Sequence, residues 1–381
     1  MKIVHISLYG PVTDGWNYQD NMIPKFQIQN GNEVTIIASK WVFNTEGNIT
    51  YYDKTHYTFQ GINMIRLDLK VGKDIYSKIK VYEGLLGELE KIKPDCIFVH
   101  GVQFVDIHTI VKYARQYHVD IYVDNHCDFS NSATNWLSKY VLHGIIWKHF
   151  AKEILPYTKK FYGVLPARVD FLINMYGIPS NKVELLVMGA DDDKVDQVLK
   201  GNSKERIRKK YNIGKDDFLV MFGGKIDAWK KQTLLLMEAI GKIENPKVKL
   251  IVFGSVTQEL ADNVKDLCIK NKVQYIGWVK AEESYEYFAA ADLAIFPGRH
   301  SVFWEQVAGM GIPMVCKYWE GTTHVDCGGN VKFLYRDSVE EIKSTIENIA
   351  YDRSVYDAMK CAAEKAQKLF SYREISRKCI E

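Results

Sequence analysis

One carboxylate stands out because of the residues around it. Glu305 lies in the stretch FPGRHSVFWEQVAGMGIP (296–313), where an apolar strand runs into a short polar loop and then into small residues. We predict that it lies in the first turn of a helix, where the helix dipole favours a negative charge. There it could accept hydrogen bonds from the two hydroxyls of a ribose, while the N–H groups of Ser301 and Val302 could hold phosphate. A glutamate that only caps its helix would show the same pattern.

Two lysines follow a second strand, in FGGKIDAWKKQTLLLMEAI (222–240). Gly224 lets the backbone approach a ligand closely. Lys225 and Lys230 then place two amines beside the start of a helix, which is suited to binding a diphosphate. Two solvated lysines on a surface turn are the alternative. The stretch is not a P-loop, because GxxxxGK[ST] is missing.

The elements that must position these residues are strands that alternate with helices. Apolar strands are predicted at 2–8, 32–39, 62–69, 95–101, 119–126, 182–191, 218–224, 248–254, 273–278, 293–298 and 312–317. Helices are predicted between them, including one over 75–93. This alternation is typical of an α/β fold with parallel sheets. A polar stretch at 191–217 divides it into two tandem doubly wound, Rossmann-like domains, which we place at 1–195 and 204–365. Ligands bind at the carboxyl edges of such sheets, and we expect the two edges to face each other across a cleft.

Composition narrows the class of protein. The net charge of +3 is spread over both halves, which does not favour a nucleic-acid-binding module. The seven cysteines include no CxxC pair, so we expect reduced thiols in a cytoplasmic protein. The opening MKIVHISLYG is typical of a strand rather than a signal peptide. No metal-ligand cluster is evident, and we predict no cofactor.

The C-terminal half resembles the donor domain of retaining GT-B glycosyltransferases, the "glycosyl transferases group 1" family (family 4 type). GGKIDAWKK matches its diphosphate motif, IGWVKAEESYEYFAAADLAIFP its base-side turn, and EQVAGMGIP the end of its acidic motif. The resemblance implies that Lys225 and Lys230 hold the donor diphosphate, that Trp278 and Val279 lie by the base, and that Glu305 binds the ribose. It also implies transfer without a metal, and a last helix (366–381) that crosses back to the first domain.

The chain departs from the family pattern at one position. The E-x7-E spacing places the first glutamate, which contacts the transferred sugar in the family, at Pro297. Arg299 and His300 stand in the loop that follows, and either could donate to the diphosphate or to a sugar hydroxyl. His324, in the loop after the next strand, is a further candidate for the donor site, although a surface turn is about as consistent with that loop.

The first half is expected to bind the acceptor. The loop after the first strand offers Asp14, Gly15, Trp16 and Asn17. His100 and His126 end two later strands, and Asp128 follows. A histidine at a strand end is usually a structural residue, but the resemblance places His126 at the family's catalytic histidine.

The segment 135–163 combines aromatic residues with lysines and a single glutamate, a pattern typical of helices that lie on anionic membranes. A half-buried helix is the alternative. We therefore predict a glycosyltransferase that moves a sugar, with retention, from a nucleotide-sugar donor to a saccharide or lipid-linked acceptor in surface polysaccharide synthesis. It would act in the cytoplasm, with peripheral contact to the inner face of the membrane. A catalytically degenerate nucleotide- or glycan-binding subunit is the first alternative, and an epimerase or phosphorylase of the same architecture is the second.

Overall fold

The computed structural model of the chain describes residues 1–44 and 47–381, which form two compact units. Unit 1 comprises residues 1–187 and 372–381, and unit 2 comprises residues 188–371. Each unit is built on its own largely parallel sheet. The predicted α/β class with two doubly wound sheets is confirmed.

Unit 1 is organised around an eight-stranded sheet of order β12-β11-β10-β9-β1-β2-β6-β5, in which only the edge strand β5 is antiparallel to its neighbour. The strands of this sheet are β1 (Lys2–Ser7), β2 (Glu33–Ser39), β5 (His56–Phe59), β6 (Ile62–Leu67), β9 (Cys96–His100), β10 (Asp120–Asn125), β11 (Thr158–Gly163) and β12 (Val183–Leu185). Two separate antiparallel pairs are formed by β3 (Trp41–Phe43) with β4 (Ile49–Tyr51), and by β7 (Leu69–Val71) with β8 (Val81–Tyr82). The central strands are buried along almost their whole length, which explains their continuous apolar sequence.

The helices of unit 1 connect these parallel strands. They are α1 (Gln19–Gln29), α2 (Leu85–Ile92), α3 (Ile107–Tyr117), a π-helical stretch (Leu137–Trp147), α4 (Lys148–Ile154) and α5 (Pro166–Asn174), with 3₁₀ turns at Leu155–Tyr157 and Ser180–Lys182. Strand order reverses between β1 and β9, so the loops that follow these two strands flank the topological switch point of the sheet.

Unit 2 has a parallel six-stranded sheet of order β15-β14-β13-β16-β17-β18. Its strands are β13 (Phe218–Gly223), β14 (Val248–Phe253), β15 (Gln274–Tyr275), β16 (Leu293–Phe296), β17 (Met314–Lys317) and β18 (Val331–Leu334). Its helices are α6 (Asp192–Lys200), α7 (Ser203–Lys210), α8 (Gln232–Gly241), α9 (Gln258–Asn271), α10 (Ser284–Ala290), α11 (Phe303–Gly309), α12 (Val339–Tyr351) and α13 (Arg353–Ala366), with 3₁₀ turns at Thr323–Val325 and Gln367–Phe370. Its switch point lies between β13 and β16.

The last helix, α14 (Tyr372–Lys378), belongs to unit 1, where it packs on α1. Gln27 donates to the Ser376 carbonyl, and Asn30 donates to the Ser376 hydroxyl at 3.1 Å. The predicted crossing segment therefore begins at residue 372 rather than 366, because residues 366–371 still pack within unit 2.

Two segments differ from the predicted elements. The helix predicted over 75–93 is present only at 85–92, because Gly84 turns the chain with a φ of 81° and Asp106 accepts from the Tyr82 N–H in a short strand. The polar stretch 191–217, predicted to divide the two domains, is largely helical and forms α6 and α7. Residues 188–195, predicted to end the first domain, lie in unit 2, where the Asp191 N–H donates to the Tyr285 hydroxyl.

Two glycines of unit 1 provide a matched test of this packing. A Cβ at Gly163, where β11 meets α5, would lie 2.3 Å from the backbone nitrogen of Val169, whereas a Cβ at Gly87 in α2 would meet nothing within 4 Å. We expect Gly163→Ala to lower the free energy of unfolding by about 2 kcal/mol or more. Gly87→Ala should raise it by up to about 1 kcal/mol. Urea unfolding of both variants measures these changes, and equal effects would contradict the packing described.

Candidate functional site

The predicted donor residues of unit 2 gather at its topological switch point. Lys225 and Lys230 lie in the loop after β13, and residues 297–302 form the loop after β16, the strand beside it. In open α/β sheets, ligands bind in the crevice at the carboxyl end of such a strand pair. The topology therefore brings together two motifs that lie about 70 residues apart in the sequence.

The two lysines differ in their surroundings. The side chain of Lys225 is 60% exposed, and its amine lies 3.7 Å from Asp227. Lys230 is half-buried, and its amine makes no ion pair within 4.0 Å among the described residues. Burial lowers the pKa of Lys230, and the charge of Lys225 lowers it further, while Asp227 partly opposes the shift. A bound anion would supply the negatively charged partner that the Lys230 amine lacks.

The loop after β16 packs directly on the Lys230 segment. A Cβ at Gly298 would lie 3.3 Å from the Cα of Lys230. The guanidinium of Arg299 stacks over the indole of Trp229, 4.2 Å from its centroid. Trp229 is 64% exposed, so the stacked pair lies on the surface of unit 2. This places three cationic side chains, at 225, 230 and 299, in two adjoining loops.

Glu305 lies in the first turn of α11, as predicted, but its carboxylate is enclosed. His300 Nε2 lies 2.7 Å and His324 Nε2 lies 2.8 Å from the same oxygen, Oε1. The side chain of Glu305 is 0% exposed, and its Oε2 has no hydrogen-bond partner within the described structure. Burial acts to raise the pKa of Glu305, but the charges and hydrogen bonds of His300 and His324 outweigh it and hold the pKa below its ordinary value.

This enclosure bears on the role predicted for Glu305. The side chain of His324 is 2% exposed and that of His300 is 14% exposed, so His300 is the open member of the cluster. A ribose could not reach either oxygen of Glu305 in this arrangement. We refer to His300, Glu305 and His324 together as the Glu305 cluster.

The remaining predicted donor residues lie at the same edge of the sheet. Trp278 and Val279 follow β15; Trp278 is 67% exposed and Val279 half-buried. Ser301 and Val302 precede α11, and the Ser301 carbonyl accepts from the Trp304 N–H at 3.0 Å. Gly224 adopts a φ of +142°, and a Cβ on Gly254 would meet its carbonyl oxygen at 1.9 Å, so both positions require glycine.

Unit 1 contains a second carboxylate held by two histidines. Asp124 Oδ2 lies 2.7 Å from His100 Nδ1 and 3.3 Å from His126 Nε2. The side chains of Asp124 and His100 are 0% exposed, whereas that of His126 is 21% exposed and stacks on Tyr9. Burial acts to raise the pKa of Asp124, but the charges of His100 and His126 hold it below its ordinary value.

Hydrogen-bond accounting fixes the protonation of this cluster. Gln27 turns its NH₂ group toward the Ser376 carbonyl, which can only accept, so its Oε1 accepts from His5 Nε2 at 2.7 Å. Burial, with the charge of His100, lowers the pKa of His5 to about 3, which keeps His5 neutral with an acceptor at Nδ1. His100 must then donate from Nε2 to His5 and from Nδ1 to Asp124, so it is an imidazolium.

Three predicted acceptor residues make hydrogen bonds or ion pairs within unit 1. His100, predicted to contact the acceptor, is fully buried and bonded at both ring nitrogens, so neither nitrogen is open to a ligand in this structure. Asp128 closes a turn by accepting from Ser130 and Asn131. Asp14 pairs with the buried guanidinium of Arg66.

The other predicted acceptor residues remain close to the switch point. Gly15 has a φ of +76°, and a Cβ there would touch the ring of Phe59. Trp16 stacks on Phe43, with ring centroids 5.5 Å apart. Asn17 has a buried amide nitrogen with no partner within the described structure. His126 is the partly exposed histidine of this edge.

Sequence reasoning missed the partners that hold the site together. It did not single out His5, Gln27 or Asp124 in unit 1, nor Trp229 in unit 2. One signal was present, because Asp124 and His100 end neighbouring parallel strands and pair in register. The partnership of His300 and His324 had no comparable signal, since they lie in loops after different strands.

Two sets of side chains have the composition of a cation site. The ligand atoms of His300, Glu305 and His324 lie within 4.8 Å of one another, as do those of Asp20, His100 and His126. In the first set, Glu305 Oε1 is hydrogen-bonded to Nε2 of both histidines. In the second set, His100 Nδ1 is hydrogen-bonded to Asp124. In both sets, therefore, side-chain hydrogen bonds already occupy ligand atoms that a cation would use.

Residues 203–365 match the family model "Glycosyl transferases group 1". The predicted resemblance to this family is confirmed for the part of the chain that carries the Glu305 cluster.

Individual relatives are distant. The chain is 22% identical over 231 residues to mannosylfructose-phosphate synthase of Agrobacterium fabrum, an alignment that covers 56% of this chain and 50% of that protein. The chain spans between a third and a half of the length of the curated relatives it matches.

Solved structures share the fold over the whole chain. Sucrose-phosphate synthase from Thermosynechococcus elongatus has a TM-score of 0.67 at 15% identity, with 99% of this chain and 96% of that chain covered. HepE of Anabaena, in complex with UDP, has a TM-score of 0.66 at 14% identity, with 99% and 98% covered. The fold is GT-B.

Burial of His5 in unit 1 makes the stability of the folded chain depend on pH. Because the pKa of His5 is about 3 in the folded chain and near 6.5 when unfolded, the unfolded state binds more protons between these values. The free energy of unfolding should therefore fall as the pH is lowered from 6.5 to 5, by up to about 1.4 kcal/mol per pH unit from this residue. His5→Asn keeps an acceptor for His100 and should reduce that slope. Urea unfolding at pH 6.5, 5.75 and 5 measures it, and an unchanged slope in the variant would contradict the assignment.

Proposed function

We propose that the chain is a glycosyltransferase that transfers a sugar from a nucleotide diphosphate donor to a saccharide or lipid-linked saccharide. One observation carries the proposal: the switch point of unit 2 gathers Lys225, Lys230 and Arg299, and Lys230 has no ion-pair partner among the described residues. A bound diphosphate would supply the negative charge that pairs with Lys230. The group 1 family match and the structural likeness to a protein bound to UDP support this donor class.

The chemistry required of these cations is charge stabilisation. When the glycosidic bond to the diphosphate breaks, negative charge develops on the leaving oxygen, and fixed positive groups beside it lower the barrier. We propose that Lys225, Lys230 and Arg299 do this without a metal ion. We further propose retention, in which the departing phosphate accepts the acceptor's proton on the same face. His126, the partly exposed histidine of unit 1, is the candidate to contact the transferred sugar.

A binding subunit without turnover is the second candidate. Pro297 occupies the position where the family places its first glutamate, so a group that would contact the transferred sugar is missing. Such a protein would bind a nucleotide or glycan and release no product. Surface polysaccharide synthesis is the setting that we propose for the active enzyme.

The donor assignment is tested by ligand-induced stabilisation. We expect one nucleotide sugar from a panel to raise the melting temperature, because a ligand at 100 times its Kd stabilises the folded state by about 2.7 kcal/mol. Lys230→Ala should weaken that ligand at least about tenfold, since it removes a charged hydrogen bond to phosphate. Lys231→Ala, at the exposed neighbouring lysine, is the control and should leave binding unchanged.

The outcomes separate the candidates. No shift with any nucleotide or nucleotide sugar would contradict the donor assignment. Binding that Lys230→Ala leaves intact would contradict the diphosphate site. Binding without release of nucleoside diphosphate, across a panel of saccharide acceptors, would favour the binding subunit.

We also propose peripheral contact with an anionic membrane through unit 1. Among the described residues, no helix is long and apolar enough to cross a bilayer. The helical stretch from residue 136 to residue 154 nevertheless exposes large apolar side chains: Trp136 is 69%, Leu137 58% and Ile145 64% exposed. Lys139 lies over the ring of Tyr140 in the same stretch. Exposed apolar groups beside amines suit the boundary between lipid headgroups and acyl chains.

Two lysines of the basic segment predicted over 135–163 are not part of the helical stretch. Lys159 and Lys160 lie on β11 rather than on a helix, near Asp120 and Glu184 respectively. Each of these two lysines therefore has a carboxylate of unit 1 as an ion-pair partner. The surface that we propose for the membrane is confined to residues 136–148.

Vesicle sedimentation tests this surface. The triple variant Trp136→Ser, Leu137→Ser and Ile145→Ser should bind vesicles containing phosphatidylglycerol at least about tenfold more weakly than the wild type. A control that removes exposed apolar groups of unit 2, Leu199→Ser with Ile269→Ser, should bind like the wild type. Equal binding by the wild type and the triple variant would contradict the membrane proposal.

A further inference from the structure

The Glu305 cluster raises a question about which of its members meets a ligand. Glu305 is the acid that the family motif assigns to the ribose, yet its side chain is 0% exposed. The Nε2 atoms of His300 and His324 both contact the same carboxylate oxygen. Of the three side chains, His300 is the most open, at 14% exposed. Its Nε2 is held by the carboxylate, which leaves Nδ1 as the ring nitrogen available to a ligand.

We propose that Glu305 is a positioning residue that acts through His300, and that His300 contacts the donor at its diphosphate. This rests on the function proposed above. The buried carboxylate fixes a proton on His300 Nε2 and orients the ring. The ring thereby presents Nδ1 to a phosphate oxygen, to which an Nδ1–H group can donate. His324, at 2% exposed, serves as the second anchor of the same oxygen.

The residues beside His300 indicate that it contacts the diphosphate rather than the ribose. Its loop neighbour Gly298 packs against the backbone of Lys230, and Arg299 stacks on Trp229 one residue before that lysine. His300 therefore belongs to the same pair of loops as the cations of the site. The edge of its ring also contacts Trp304, 5.1 Å between centroids, which restricts its orientation further.

The test pairs variants with two forms of one ligand. The nucleoside diphosphate that the wild type binds best among UDP, GDP and ADP is compared with its 2′,3′-dideoxy counterpart by calorimetry. If Glu305 acts through His300, E305Q should weaken both ligands by the same factor, about tenfold. H300Q should do likewise, and the double variant should be no weaker than H300Q alone, because the two residues act as a unit.

A spectroscopic signature accompanies these affinities. In ¹⁵N-histidine spectra at high pH, the wild-type His300 ring should carry its proton on Nε2. In E305Q the amide can turn its NH₂ group toward Nε2, and the proton should then move to Nδ1. An unchanged tautomer in E305Q would contradict the claim that the carboxylate fixes the proton on His300 Nε2.

Several outcomes would overturn the proposal. A loss in E305Q that appears with the ribonucleotide and vanishes with the dideoxy form would assign Glu305 to the ribose directly. Unchanged affinity in H300Q would exclude His300 as the contact, and this variant decides the question if E305Q does not fold. One zinc ion per chain that is lost in H324Q would show a metal site instead. A wild type that binds no nucleoside diphosphate would contradict the proposed function itself.

Discussion

A buried carboxylate that is shared by two imidazoles is the interaction on which each unit depends at its functional edge. Asp124 holds this position in unit 1 and Glu305 in unit 2. An ionised carboxylate buried without a partner would cost several kcal/mol, so its histidines are obligatory counter-groups. In both clusters one histidine is buried and the other, His126 or His300, is partly exposed. The carboxylate thus orients a ring that a ligand can meet.

The sheets place these clusters where ligands bind in α/β folds. Asp124 and His100 end adjacent parallel strands, and the loops after β13 and β16 flank the switch point of unit 2. Unit 1 is closed by its own C-terminal helix, and the relay from Ser376 through Gln27 and His5 connects that helix to His100. The same helix therefore influences the protonation of a residue at the carboxyl edge of the sheet.

Much of this arrangement could be predicted from the sequence because parallel strands are continuous apolar runs. The main strands of both sheets, Glu305 in the first turn of a helix and the lysine loop after β13 follow from local patterns. The strands β11 and β18 were missed, because their sequences mix polar and apolar residues and tertiary pairing decides their structure. The helices α6 and α7 were taken for a linker, since their charge conceals the few apolar positions that they bury.

The side-chain partnerships were beyond local reasoning. Whether Glu305 is presented to a ligand or enclosed depends on His324, which lies 19 positions away in the loop after another strand. Likewise, His100 looked like an accessible strand-end histidine until His5 and Asp124 were seen to occupy both of its nitrogens. A pattern of residue types indicates which groups are near an edge, and only their packing shows which of them face outward.

A crystal structure of the chain with the nucleoside diphosphate that it binds best would test most directly whether Lys230 and His300 bind the diphosphate. We predict that phosphate oxygens lie within hydrogen-bond distance of Lys230 Nζ and His300 Nδ1, with Glu305 still enclosed by His300 and His324. A ribose hydroxyl bound to Glu305, or a diphosphate placed away from Lys230, would contradict the account.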